Sequence, residues 1–300
     1  MQELAIVEAP SVLGLRPSGV QDLPAALLGA GLLVGFEAVR AGRVDPPAYD
    51  PTRDVGTGVL NPHAIVRYST RLADAVGGAL DAGRFPVVLG GDCSILLGNL
   101  LALRRRGRHG LLFLDGHTDF YQPSAEPNGE AASMELALAT GRGPRPLTDL
   151  EGRGPLVRDE DVVVLGFRDA AESALAGMQP LPPGLHAVDL GGVRASGAAA
   201  AAREAVDRLT AGTGDGFWVH LDVDVLDDAV MPAVDYRQPG GLTWEELESV
   251  LRTALADPRA VGLDVTIFNP RLDPDGTVAA RLAGCLRRGL SVRGVAVRSR

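Results

Sequence analysis

Residues 111–120, LLFLDGHTDF, end an apolar run in Asp115, His117 and Asp119 at alternate positions. Alternate side chains of an extended chain point the same way, so these three groups are expected to converge where a strand gives way to a loop. Two carboxylates and an imidazole on one side form a metal-competent set. The plainer alternative is two turn-forming aspartates around a loop histidine. Residues 217–227, FWVHLDVDVLD, repeat the arrangement: Asp222 and Asp224 fall on one side of a strand and Leu221, Val223 and Val225 on the other. Two carboxylates in so apolar a strand are costly to bury unless cations neutralise them. Together the clusters predict a metal centre.

A third candidate is GGDCS at 90–94, between the apolar stretch Phe85–Leu89 and a helix expected over Ile95–Leu103. Two glycines at such a turn let the backbone approach something closely, and Cys93 at the helix N-terminus is expected to have a lowered thiol pKa. Alternatively, Cys93 is a small buried hydrophobe. The loop GLRPSG, after an expected strand at Leu4–Pro10, stands where α/β folds bind ligands or is an ordinary turn.

The elements that must position these groups alternate along the chain. Strands are expected at 4–10, 85–89, 161–169, 186–190 and 261–270, and within 111–120 and 217–227. Helices are expected at 23–33, 65–80, 95–103, 131–139, 195–205 and 278–290, and Thr243 with Glu246 forms a capping box. Seven or eight strands separated by helices predict an α/β fold, a parallel sheet in three layers with helices on both faces. Ligands of such sheets gather at the carboxyl ends of the strands, where the candidate metal ligands lie.

Composition narrows the function classes. With 300 residues and 46% hydrophobic content, the chain can bury a large core, and no Pro/Ser-rich linker divides it, so one domain over 1–300 is expected. A net charge of −9 spread along the chain argues against nucleic acid or an acidic membrane surface as partner. Arg104, Arg105 and Arg106 end an apolar helix and suit its negative C-terminal dipole. Two cysteines, Cys93 and Cys285, form no disulfide framework; with no leader pattern and no apolar run of about 18 residues, a cytoplasmic protein is expected.

GGDCS, LDGHTD, LDVDVLD, PGGLTWEE and GLDVTIFNP, in this order over residues 85–270, resemble the motif set of the ureohydrolases, the arginase, agmatinase and formimidoylglutamase family. The resemblance implies an arginase-like α/β domain with a two-manganese centre, usually trimeric or hexameric, hydrolysing amidine-like C–N bonds of a small-molecule substrate. It implies that Asp115 and Asp222 bridge both metals, that His117 and Asp224 complete one shell, and that Asp119 and Cys93 complete the other. Four carboxylates and an imidazole independently suit hard divalent cations such as Mn²⁺. Two such cations about 4 Å apart share a water and lower its pKa. The resemblance further implies that Asp119 holds that water's proton and passes it to the departing amine.

Three positions depart from the family pattern. Cys93 replaces a histidine and inclines its site towards Zn²⁺ or another softer metal. Ala132 stands where arginases place a proton-shuttling histidine, and Ile267 where they hold the guanidinium with an acid. Glu130, Asp235 and Arg237 in neighbouring loops are candidate substrate-binding residues, the first two for a cation and Arg237 for an anion; otherwise they are solvated loop charges. A guanidine hydrolase is the leading expectation; a formimidoyl or amide substrate at the same site and a catalytically weak homologue are the alternatives.

Overall fold

The computed structural model describes residues 2–212 and 214–293; Met1, Thr213 and 294–300, inside the expected 1–300 domain, lie outside them. Eight strands form one sheet: β1 (Leu4–Glu8), β2 (Ala38–Arg43), β3 (Phe85–Leu89), β4 (Gly110–Leu114), β5 (Val162–Leu165), β6 (His186–Val188), β7 (Phe217–Asp222) and β8 (Ala260–Thr266). Every pairing is parallel, in the order β2-β1-β3-β8-β7-β4-β5-β6. The expected three-layer α/β fold is observed.

Alternation along the strands feeds a core on each face. Leu112, Leu114, Val219, Leu221, Leu263 and Val265 join one, packed by the helices Ala198–Gly212, Trp244–Ala256 and Thr277–Leu290. Leu111, Phe113, Val88 and Trp218 join the other, against Pro62–Asp81 and Leu96–Arg104. The helix Pro62–Asp81 starts with proline at its first position and buries Ile65, Tyr68, Leu72, Val76 and Ala79 at helical spacing. Thr243 and Glu246 form the expected capping box, with bonds of 3.1 and 2.8 Å. Among the basic cluster, Arg105 pairs with Asp74 and Glu151, and Arg106 with Asp81.

Several expectations are corrected. β2, AVRAGR, was not foreseen, because an edge strand pairing only with β1 and partly exposed carries little apolar pattern. The helix expected over 131–139 is two pieces, a 3₁₀ turn at Ala131–Ser133 and a short helix at Glu135–Ala139. β7 ends at Asp222, and Asp224 lies in a 3₁₀ turn, Val223–Val225, so the two carboxylates converge through a turn and not through strand alternation.

The topology makes one crevice. From β3 the chain crosses to β4, leaving a gap that β8 and β7 fill later. The four central strands, β3, β8, β7 and β4, therefore end side by side, with Leu89, Val265, Leu221 and Leu114 in one row. One residue further, Thr266 pairs with Asp222, and Asp115 follows Leu114 at the same level. This is the carboxyl edge at which open α/β sheets bind ligands.

Candidate metal centre

Each ligand candidate is fixed by its own turn. Asp115 leaves β4 fully buried; its Oδ1 accepts the His117 backbone N–H at 2.7 Å, while Oδ2 is buried with no hydrogen-bond partner. His117 turns back so that Nδ1 lies 3.0 Å from Asp224 Oδ2. Asp119 adopts the left-handed region (φ 42°), which aspartate tolerates better than most residues, and lines the pocket above. Asp222 Oδ1 accepts the Asp224 N–H at 2.8 Å, and its Oδ2 accepts the Cys93 thiol at 2.9 Å.

Cys93 opens the 3₁₀ turn Cys93–Ile95, and Asp92 caps that turn by accepting the Ser94 N–H at 2.9 Å. What the two glycines approach is the protein's own chain: a Cβ on Gly91 would fall on the Ser11 carbonyl of the loop after β1. Ser11 Oγ also donates to Asp92 at 2.8 Å, so the two loops lock together beneath the site. The expected lowering of the Cys93 thiol pKa is overturned. Full burial pushes it well up, and the charges of Asp222 and Glu135 push the same way.

The sequence reading missed Glu135 and His220. One ligand atom from each of Cys93, Asp115, Glu135 and His220 lies within 4.8 Å of the others, and Asp115, His117 and Asp224 form a second such group. Asp115 is common to both. Glu135 was legible as the lone acid of the apolar run MELALA, and His220 as the residue two before Asp222 on the same face of β7.

Without cations this is a strained assembly of acids. Burial, then neighbouring carboxylates, raise Asp119 and Asp222 well above the usual carboxylate range, and burial raises Glu135 likewise. Burial opposes protonation of His117, but Asp224 and Asp115 outweigh it and raise its pKa well above the ordinary value. Asp224 is held down, against burial, by His117. Asp115 Oδ2, both Glu135 oxygens and His220 Nε2 are buried without hydrogen-bond partners. Divalent cations would satisfy these atoms and neutralise the acids, so the residues fit a metal centre.

Above the ligands lies a pocket of about 250 Å³ lined by His117, Asp119, Asp222 and Asp224 at its floor and by Ala132, Tyr236 and Ile267 on its walls. Ile267 is held at φ 70°, an outlier for a β-branched residue, with its N–H bonded to Gly91 O at 2.8 Å. Glu130, Asp235 and Arg237 do not line this pocket. Glu130 is buried and accepts Tyr236 Oη at 2.6 Å and the Arg16 N–H at 3.2 Å. Asp235 accepts Ser18 Oγ and, at 2.8 Å, Asn269 Nδ2; Arg237 pairs with Asp228 at 3.3 Å. The carboxylates on the walls are instead Glu126, Asp169 and Glu172, none foreseen as substrate contacts.

A parallel α/β sheet with a buried cluster of carboxylate, imidazole and thiol ligands at its carboxyl edge defines a metal-dependent enzyme of the α/β class. A family model described as the arginase family matches residues 2–289. The chain belongs to the arginase family and is a metal-dependent hydrolase of C–N bonds. It is 29% identical over 296 residues to an arginase of Bacillus caldovelox, covering 95% of this chain and 98% of that one. It is 26% identical over 285 residues to an arginase of Staphylococcus aureus, covering 91% and 92%. The structure of the Bacillus caldovelox arginase superposes with a TM-score of 0.85 at 27% identity, covering 97% and 98%.

Proposed function

We propose that this chain is a two-cation hydrolase of a linear guanidine or amidine C–N bond. The observation that carries the reading is the pair of ligand groups that share Asp115, the second of which reaches the pocket through His117 and Asp224. In this reading Asp115 and Asp222 would be shared by the two cations, His117 and Asp224 would help hold one, and Asp119 and Cys93 would help hold the other. Bound there, the cations would lower the pKa of a water and supply a nucleophile at neutral pH. Manganese is the default pair, and Cys93 favours Zn²⁺ or a softer ion on its side.

The chain's own residues supply the rest. Asp119, which lines the pocket beside His117, Asp222 and Asp224, is the group placed to take up the proton of the attacking water and return it to the departing amine. The apolar walls at Ala132 and Ile267 exclude water from the reacting carbon. Glu126 and Glu172, on the wall, take the role of attracting a cationic substrate that the sequence alone gave to Glu130 and Asp235. The same reading includes a cytoplasmic homo-oligomer, trimer or hexamer, following the family resemblance and two cysteines that are free and buried. The test is urea and ammonia release from a panel of guanidino compounds by cation-loaded protein. Release abolished by chelation and restored by Mn²⁺ or Zn²⁺ is expected; no release from any guanidino compound by protein holding two cations overturns it.

A formimidoyl or amide substrate is the second reading, and Ile267 favours it. A guanidinium pressed against that side chain loses hydration without gaining a charged partner. Release of formamide or ammonia from formimidoyl compounds in the same panel, without urea from guanidines, would select it.

A further inference from the structure

Glu135 begins the short helix Glu135–Ala139 fully buried, beside the Asp119 carboxyl, and neither of its oxygens makes a hydrogen bond of ordinary geometry to a neighbour. A carboxyl group so placed has lost its hydration and has only another buried acid, Asp119, with which to share a proton, which ordinary packing does not tolerate. His220 is equally buried. Its ring stacks on Phe113 at 4.8 Å between centroids, and Nδ1 lies 2.6 Å from Asp264 Oδ2. Asp264 is itself held by the Trp218 indole N–H. A carboxylate facing Nδ1 places the proton there and leaves the Nε2 lone pair free, the arrangement that orients metal-binding histidines. Nε2 has no partner.

Strand geometry explains how the ring reaches the site. His220 pairs with Phe113 on one side and Asp264 on the other, two residues below the row of Asp115, Asp222 and Thr266 and on the same face of the sheet. It therefore rises beneath the carboxylates. The donor atoms of Cys93, Asp115, Glu135 and His220 lie within 4.8 Å of one another, against edges of about 3.3 to 3.8 Å for a tetrahedron with bonds of about 2.0 to 2.3 Å. A contraction of about 1 Å closes the set.

We infer that Glu135 and His220 Nε2 are metal ligands, joining Cys93 and Asp115 in a thiolate, imidazole and carboxylate site selective for Zn²⁺ or a comparably soft divalent cation. This rests on the two-cation reading above and adds two donors to its Cys93 side. One thiolate and one imidazole shift that side from the oxygen-rich sets of Mn²⁺ towards the mixed sets of Zn²⁺.

The test loads the full-length protein with Zn²⁺ and with Co²⁺. X-ray absorption at the zinc edge of the unaltered protein is expected to require imidazole from both His117 and His220 and sulfur from Cys93. Co²⁺ is expected to give a thiolate-to-metal charge-transfer band and visible bands that report the added imidazole and carboxylate donors. Glu135→Gln, which keeps the side chain's shape, is expected to weaken one cation by about ten- to a hundredfold in chelator competition and to change those bands. His220→Asn serves as the second variant, and the absorption edge of the unaltered protein decides if that variant does not fold. Wild-type affinity and bands in Glu135→Gln, with one imidazole per cation pair at the edge, overturn the inference while leaving the two-cation reading standing. Failure of the unaltered protein to bind any cation contradicts that reading itself.

Discussion

The Cys93 sulfur lies 2.9 Å from Asp222 Oδ2 and 3.0 Å from Thr266 Oγ1, so the turn after β3 meets the ends of β7 and β8 at one point. That contact links the one soft donor of the site to an acid at the sheet edge. Replacing Cys93 with serine is expected to weaken Zn²⁺ or Cd²⁺ by about tenfold or more and to leave Mn²⁺ nearly unchanged, because the softer ions gain most from sulfur. Isothermal titration with each ion checks this, and equal losses for all three contradict it.

Cation binding is expected to stabilise the protein more as pH rises. Burial holds the folded-state pKa values of Asp119, Asp222 and Glu135 above those of the unfolded chain, which lie near about 4. Their contribution to the cation-free fold is full below about pH 4 and is lost as pH rises through the raised values. A cation replaces those protons, so the Tm gain on adding Mn²⁺ or Zn²⁺ should be larger near pH 8 than near pH 5.5. Equal gains at both pH values, measured by scanning calorimetry, argue against neutral acids at this site.

Ile267→Glu is expected to raise kcat/KM for guanidino substrates by about ten- to a hundredfold, the value of one charge-assisted contact of about 1.5 to 3 kcal/mol. The exchange also removes a β-branched residue from a left-handed backbone position. Initial rates of urea release by the two proteins decide it; an unchanged or lower ratio means the guanidinium does not approach this wall.

Asp264 tests the framework under the site. It is fully buried and accepts from the Trp218 indole while facing His220 Nδ1. Asp264→Asn brings an amide N–H against one of these donors and is expected to cost about 2 to 4 kcal/mol of stability. Denaturant unfolding measures it, and a loss below about 0.5 kcal/mol, the level of an ordinary surface change, contradicts this role.

How much of this was legible follows from what each residue's placement depends on. β3 could be read from FPVVL, buried along its whole length, whereas AVRAGR at the edge carries no such pattern. Asp115, His117 and Asp119 were legible because apolar strand and acid cluster sit in one short segment. Glu135 and His220 left only weak local signals, a lone acid in MELALA and a histidine two before Asp222; it takes the helix Glu135–Ala139 and the pairing of β7 to bring them to the site. Glu130 and Asp235 were expected at the pocket, but the directions of their side chains are set by Tyr236, Arg16, Ser18 and Asn269, partners far off in sequence.

The most direct test is the cation content of Asp115→Ala beside the unaltered protein, by elemental analysis after saturation and desalting. Asp115 is the residue common to both ligand groups, and its Oδ2 is buried with no hydrogen-bond partner. Two cations per chain in the unaltered protein and loss of both in the variant are predicted, since each cation would be left a ligand short. An Asp115→Ala protein that still retains two cations per chain would contradict a shared centre at this sheet edge.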